Sequence, residues 1–328
     1  MNLRILLYEL TARYHLSPAQ SRALWELAGL EEEPAGLRHW LSLACAVLAA
    51  ALLGLGVIFW LAANWGELGR ISKFALLQGL LIASALAAVL RPAARPPLLL
   101  LAFLAQGGVM AFFGQTYQTG ADPWQLFALW AVLGLPLALA ARSDVLWVPL
   151  ALVAMTAIAL WTHAFSGRRW AIDEASAGLY VAGWLLALAL SAFLGPLPGC
   201  RRITGAGFWS FRLALTLAVV SICLGALGAL FQSRLLSPYP AAVLLLAGTG
   251  WGVVAFAAAD ILALGVVALA LDVLLIAGLA RCLFETSHGG GLGLLFVLGL
   301  LAAALVSVTV LVVKRLAERA VRDRGAAR

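Results

Sequence analysis

The chain has 328 residues, of which 64% are hydrophobic and 11% charged, with a net charge of +7 and a mean hydropathy of +1.01. Soluble domains carry roughly a quarter charged residues, so this composition excludes a surface that faces water on all sides and points to a polytopic membrane protein. The positive charge is almost all arginine, placed in short connections and at the C-terminus. Topology signals are placed that way, and the pattern argues against nucleic acid as a partner.

In chain order, residues 1–37 read as a cytoplasmic amphipathic helical hairpin. Leu3, Leu6, Leu7 and Leu10 give the apolar stripe of a first helix. Ser17-Pro18-Ala19-Gln20 opens a second, with an N-cap serine, a proline at the first helical position and the glutamine of a capping box. Gly29 marks its stop, and Glu31-Glu32-Glu33-Pro34 reads as a solvated linker. The first apolar run begins only near Leu41, so it is expected to stay in the mature chain and act as its own targeting signal.

Residues 38–313 form the expected transmembrane bundle. Ten spans are predicted, at 41–62, 72–90, 98–114, 124–141, 145–162, 177–195, 211–231, 240–258, 261–280 and 292–313. The third and fourth are expected to be the shortest. With the N-terminus inside, the cytoplasmic segments collect Arg4, Arg13, Arg22, Arg38, Arg91, Arg95, Arg142, Arg201, Arg202, Arg212 and the six basic residues from Lys314 to Arg328, sixteen in all, and the outer ones only Arg70, Lys73, Arg168, Arg169, Arg234 and Arg281. Both termini are therefore expected in the cytoplasm of a bacterial cell, with the bundle in its inner membrane. Trp40, Trp60, Trp65, Trp124, Trp147, Trp161 and Trp209 fall near span ends, as an aromatic belt would. Residues 314–328 form a basic tail able to meet anionic lipid headgroups. Leu53-Gly54-Leu55-Gly56 with Phe59 is echoed by Leu224-Gly225-Ala226-Leu227-Gly228 with Phe231, a hint of a parallel repeat. Cys45, Cys200, Cys223 and Cys282 read as small apolar residues, without metal or disulfide spacing.

Two stretches resemble a known family. "LAANWGELGR" at 61–70, and "GQTYQTGADPWQLFALW" at 114–130 followed by "LPLALAARS" at 135–143, are similar to the bacterial membrane-protein family termed domain of unknown function 2157. The leader hairpin also looks like the N-terminal segment of that family, and the resemblance extends from residue 1 to about 145. It implies a multi-pass inner-membrane protein and supplies no catalytic residues.

Asp272 is the most informative single residue. It lies about 18 Å beyond Asp260 along a helix, close to the bilayer midplane, where a carboxylate costs about 2.5–3.5 kcal/mol. Gly265, Ala268 and Asp272 share a face that should pack inward. Counting back from a turn at Ala259-Asp260 brings Asp272 level with Ala247, Gly248 and Thr249, within the glycine-rich "GTGWG" of 248–252 that includes Gly250. A kinked or broken helix beside a buried carboxylate is the pattern of a transporter site. The other reading is close packing, with the carboxyl bonded to a backbone carbonyl or to Thr249.

A second polar group lies around 114–124. Gly107, Gly108, Ala111, Gly114, Gln115 and Gln118 share a broad stripe, with Gln106 and Tyr117 beside it. Asp122-Pro123 reads as a helix start, and Asn64 and Glu67 reach the same side. The expectation is an outward-facing mouth lined by Gln115, Tyr117 and Gln118. His163, Asp173, Glu174, Glu285 and His288 lie on that side too, but their spacing specifies neither a metal nor an acid–base site. "HGGG" at 288–291 lacks a nucleophile elbow, which rejects a hydrolase. No nucleotide fingerprint, cofactor motif or catalytic set is present.

The sequence thus specifies an all-α polytopic bundle whose best functional reading is translocation of a small solute, proton or lipid past Asp272. The alternatives are a non-catalytic scaffold or regulatory partner of another envelope protein, and an intramembrane enzyme with an outer-face polar site.

Overall fold

The computed structural model describes residues 3–28, 36–64, 66–117, 120, 122–167, 172–232, 237–257, 260–286 and 291–326. Among them the regular elements are thirteen α-helices and one 3-10 turn at Pro92–Ala94. The chain divides into two compact units, residues 1–49 and 50–328.

In the first unit, α1 (Leu3–Arg13) and α2 (Pro18–Leu27) form the leader hairpin. Ser17 caps α2 as its sequence dictates. Its Oγ accepts from the backbone N–H of Gln20 at 3.3 Å, and the Gln20 side chain accepts from the backbone N–H of Ser17 at 2.9 Å. Tyr8 meets Trp25 edge to face at 5.1 Å, which ties the two helices together. The helix stop at Gly29 and the acidic linker at Glu31–Pro34 lie outside the described residues. The long α3 (Leu37–Ala63) begins in this unit and continues into the next.

The second unit is a helical bundle. After α3 come α4 (Arg70–Leu90), α5 (Arg95–Tyr117), α6 (Pro123–Ala141) and α7 (Asp144–Phe165). They are followed by α8 (Ala177–Phe193), α9 (Pro198–Thr204), α10 (Phe208–Leu230), α11 (Pro238–Ala257), α12 (Ile261–Thr286) and α13 (Gly291–Ala326). Nine described helices are long and apolar enough to cross a membrane, and α8 with α9 forms a pair bent by 79° that would make a tenth. The ten expected spans map onto α3–α8 and α10–α13.

Two span boundaries differ from expectation. The third span is not short, because α5 has 23 residues and starts at Arg95, ahead of Pro96 and Pro97. Prolines in a first helical turn remove no intrahelical bond, so they do not delay the start. The shortest span is α8, with 17 residues. At the other end of the chain, α13 continues without a break past Lys314 into the basic tail.

α10 packs against α7, α8, α11 and α12. Ala214, Ala218, Ala226 and Ala229 are all fully buried along it, beside Leu215 and Ile222. Small residues let helix backbones approach closely where lipid supplies no hydrophobic drive between helices. The start of α10 is capped from another helix. Asp144 accepts from the backbone N–H groups of Gly207 at 2.8 Å and Trp209 at 2.9 Å, and from the Ser210 hydroxyl at 2.7 Å. Those backbone donors have no intrahelical partner, so a carboxylate there both satisfies them and complements the helix dipole. Arg142 donates to the carbonyl of Arg202 at 2.8 Å, so basic residues expected on one side of the membrane do sit together at one end of the bundle.

Candidate functional site

Asp272 is 4% exposed, and its Oδ1 accepts from the Thr309 hydroxyl of α13 at 2.9 Å. Gly265, Ala268 and Asp272 line a groove of about 760 Å³ whose other wall is α13, with Val306, Thr309, Val310 and Val313. The groove runs about 17 Å along α12, from Asp272 to Ile261. Lys314, Glu318 and Arg322 line it as well. Its walls are apolar, apart from the Asp272–Thr309 pair at one end and these three charged side chains.

The neighbour expected for Asp272 is not the one its side chain meets. Gly250 approaches α12 at Val267, where an added Cβ would lie 3.5 Å from that side chain. Asp272 is five residues further on, roughly 140° around the helix, and so faces α13 instead of α11. Thr249 donates to its own helix, to the Leu245 carbonyl at 2.7 Å. Gly248 and Thr249 line a separate groove with residues of α8 and α10. The "GTGWG" stretch also leaves α11 a continuous helix from Pro238 to Ala257. Each glycine weakens a helix by about 1 kcal/mol, but inside a bilayer an unmade backbone hydrogen bond costs more than that.

The sequence does not single out Thr309: equal counting in both directions from the 287–290 connection brings Leu305 level with Asp272, and Thr309 lies one helical turn beyond it.

The polar stripe of α5 ends in packed helices. Gln106 is 5% exposed and donates to the Trp130 carbonyl at 3.3 Å, while the Trp130 indole donates to the Phe103 carbonyl at 3.1 Å. Trp130 stacks on Phe103 at 5.1 Å. A Cβ on Gly107 would lie 2.3 Å from the Trp130 ring, and one on Gly114 would lie 2.7 Å from Leu126. The glycines therefore admit α6 side chains and leave no passage beside them. Further along, Gln115 and Tyr117 are exposed on the last turn of α5, with Tyr117 tilted against Phe113 at 4.8 Å. Gln118 lies outside the described residues. Asn64 donates back to the Trp60 carbonyl at 2.8 Å. Asp122 occupies the N-cap of α6 with Pro123 following, and its carbonyl accepts from the Gln125 N–H at 3.0 Å.

The other acids expected on the outer side are engaged locally. Asp173 accepts from the Ser176 N–H at 2.8 Å, Glu174 from the Ser237 hydroxyl at 3.1 Å, and Glu285 from Arg281 at 2.7 Å. His288 lies outside the described residues. Cys45, Cys200, Cys223 and Cys282 form no disulfide among the described residues.

No curated protein and no solved structure matches the chain. The family comparison does find a match, and it agrees with the motifs at 61–70 and 114–130: residues 8–147 match the model of the family described as "Predicted membrane protein (DUF2157)".

Proposed function

We propose that the protein translocates a lipid-like amphiphile, with the α12–α13 groove as the path for its head and Asp272–Thr309 as a polar step at one end of that groove. Of the solute, proton and lipid that the sequence allows, lipid is favoured by the character of the groove. It is apolar along its walls, and it carries the charged Lys314, Glu318 and Arg322 together with one buried polar pair. The observation that carries the reading is the buried Asp272 carboxylate lining this groove. Intramembrane acids are costly and mark substrate paths. The tight packing beside Gln106, where glycines meet indole and leucine, weighs against an aqueous route for a small solute.

In this reading the protein sits in a bacterial inner membrane with both termini cytoplasmic. The leader hairpin of residues 1–37 lies at the inner surface, and the basic end of α13 meets anionic headgroups there. The test uses proteoliposomes holding a headgroup-labelled phospholipid and a membrane-impermeant quencher. The wild type should exchange the label between leaflets faster than protein-free vesicles. Asp272→Asn should slow exchange about tenfold, the equivalent of a strong intramembrane hydrogen bond. Unchanged exchange by a well-folded Asp272→Asn would sink the proposal, and loss of folding alone would assign Asp272 to packing.

A further inference from the structure

A second cleft lies at the end of the bundle that carries the basic residues, with neither Asp272 nor Thr309 in its lining. It has two parts. The first is a pocket of about 400 Å³ lined by Arg201, Arg212, Asp260 and Phe208. The second is an apolar groove of about 420 Å³ lined by Leu188, Leu215, Leu244, Gly248 and Gly252, among others. The two share Pro196, Phe211, Phe256 and Ala257, so they are continuous.

The charges in the polar part do not balance within the protein. Arg212 donates to Asp260 at 2.9 Å, and Asp260 also accepts from the Ala263 N–H at 3.2 Å. That carboxylate is 8% exposed and matched by one guanidinium. Arg201 is a second cation, held over the Phe208 ring at 4.4 Å, with Nε and Nη2 buried and without a hydrogen-bond partner among the described residues. A buried, unsatisfied guanidinium edge calls for an acceptor, and its planar fork matches the oxygens of a phosphate. With one acid and two bases, the pocket has a net charge of +1, which complements the single negative charge of a phosphodiester. From Ala257 to Gly248 the adjoining groove extends about 14 Å along α11, in the direction an acyl chain would take into the bilayer.

We propose that this cleft binds one anionic phospholipid of the surrounding bilayer, with its phosphodiester on Arg201 and Arg212 and an acyl chain along α11 to Gly248 and Gly252. Basic pockets between membrane helices recognise anionic headgroups in this way. The site also gives the small residues of "GTGWG" a role, since a Cβ at Gly248 or Gly252 would meet nothing within 4 Å. The proposal is independent of translocation along α12–α13 and stands if that reading fails.

The test is native mass spectrometry of the full-length protein in detergent, titrated with phosphatidylglycerol or phosphatidylcholine. The wild type should retain the anionic lipid about fivefold better, the value of one well-placed basic residue. Arg201→Gln should bring the two lipids level, and Arg201→Lys should restore part of the preference. Gly252→Leu fills the groove and leaves the arginines untouched, and it should weaken phosphatidylglycerol binding as well. Equal retention of both lipids by the wild type, or unchanged preference in folded Arg201→Gln, would overturn the proposal. Displacement of phosphatidylglycerol by inorganic phosphate, together with wild-type binding by Gly252→Leu, would overturn it in favour of a site for a soluble oxyanion.

Discussion

The hydroxyl of Thr309 donates to Oδ1 of Asp272 at 2.9 Å, joining α13 to α12 across an otherwise apolar seam. α13 turns much of its surface outward, with Phe296, Leu300, Val308 and Leu311 all exposed. A helix held on one side in a bilayer has little apolar drive to fix its register. A single directional bond at a buried carboxylate supplies that register.

Thr309→Val keeps the side-chain shape and removes the donor. It should destabilise the protein by about 0.6–1.7 kcal/mol, the range measured for hydrogen bonds between membrane helices. A double-mutant cycle with Asp272→Asn, read by thermal unfolding in detergent, should return a coupling energy of that size. Additive effects would mean that the two side chains do not act as a pair.

Gly107 is required by Trp130. Gly107→Ala places a methyl group 2.3 Å from the indole, where the ring must move. Both the stack on Phe103 and the indole bond to its carbonyl then suffer. Overpacking of this kind costs about 1–3 kcal/mol. Trp130→Phe in the Gly107→Ala background should recover part of the loss, and a melting curve showing no recovery would count against the α5–α6 seam.

Asp144→Ala should destabilise the protein by about 1–3 kcal/mol, because it leaves the Ser210 hydroxyl and the backbone N–H groups of Gly207, Trp209 and Ser210 at the start of α10 without this acceptor. Asp144→Asn keeps one acceptor oxygen and should lose less. Equal melting temperatures for the wild type and Asp144→Ala would remove Asp144 from its capping role.

Single cysteines, introduced after the four native ones are replaced, test the sidedness of the bundle. With a membrane-impermeant thiol reagent on intact cells, Gln115→Cys and Tyr117→Cys should label, as exposed positions on the last turn of α5. Gln106→Cys, buried in the α5–α6 seam, should not label. Arg202→Cys, exposed at the opposite end, should label only after the membrane is opened. Labelling of Arg202→Cys in intact cells would reverse the orientation proposed from arginine placement.

Hydrophobic run length, proline and capping residues, and the placement of arginine made the ten spans, the Ser17 capping box and the Asp122-Pro123 helix start legible, because each depends on residues close together in the chain. The same local reading noticed Asp272 as an acid that a lipid environment would penalise. It could not say which helix would answer that acid, because a shift of five residues turns a side chain roughly 140° around a helix. Asp272 therefore meets Thr309 on α13 and not Thr249 on α11. The glycines of α5 could equally have bordered a cavity or a tight seam, and the position of Trp130 across the interface decided for the seam. The pairing of Arg212 with Asp260 left Arg201 as the cation without a carboxylate partner in that pocket, although all three residues looked like ordinary end-of-span charges. Segment identity is a property of local composition. The contacts between segments depend on helix rotation and on which neighbours close the bundle, and only the packed structure supplies both.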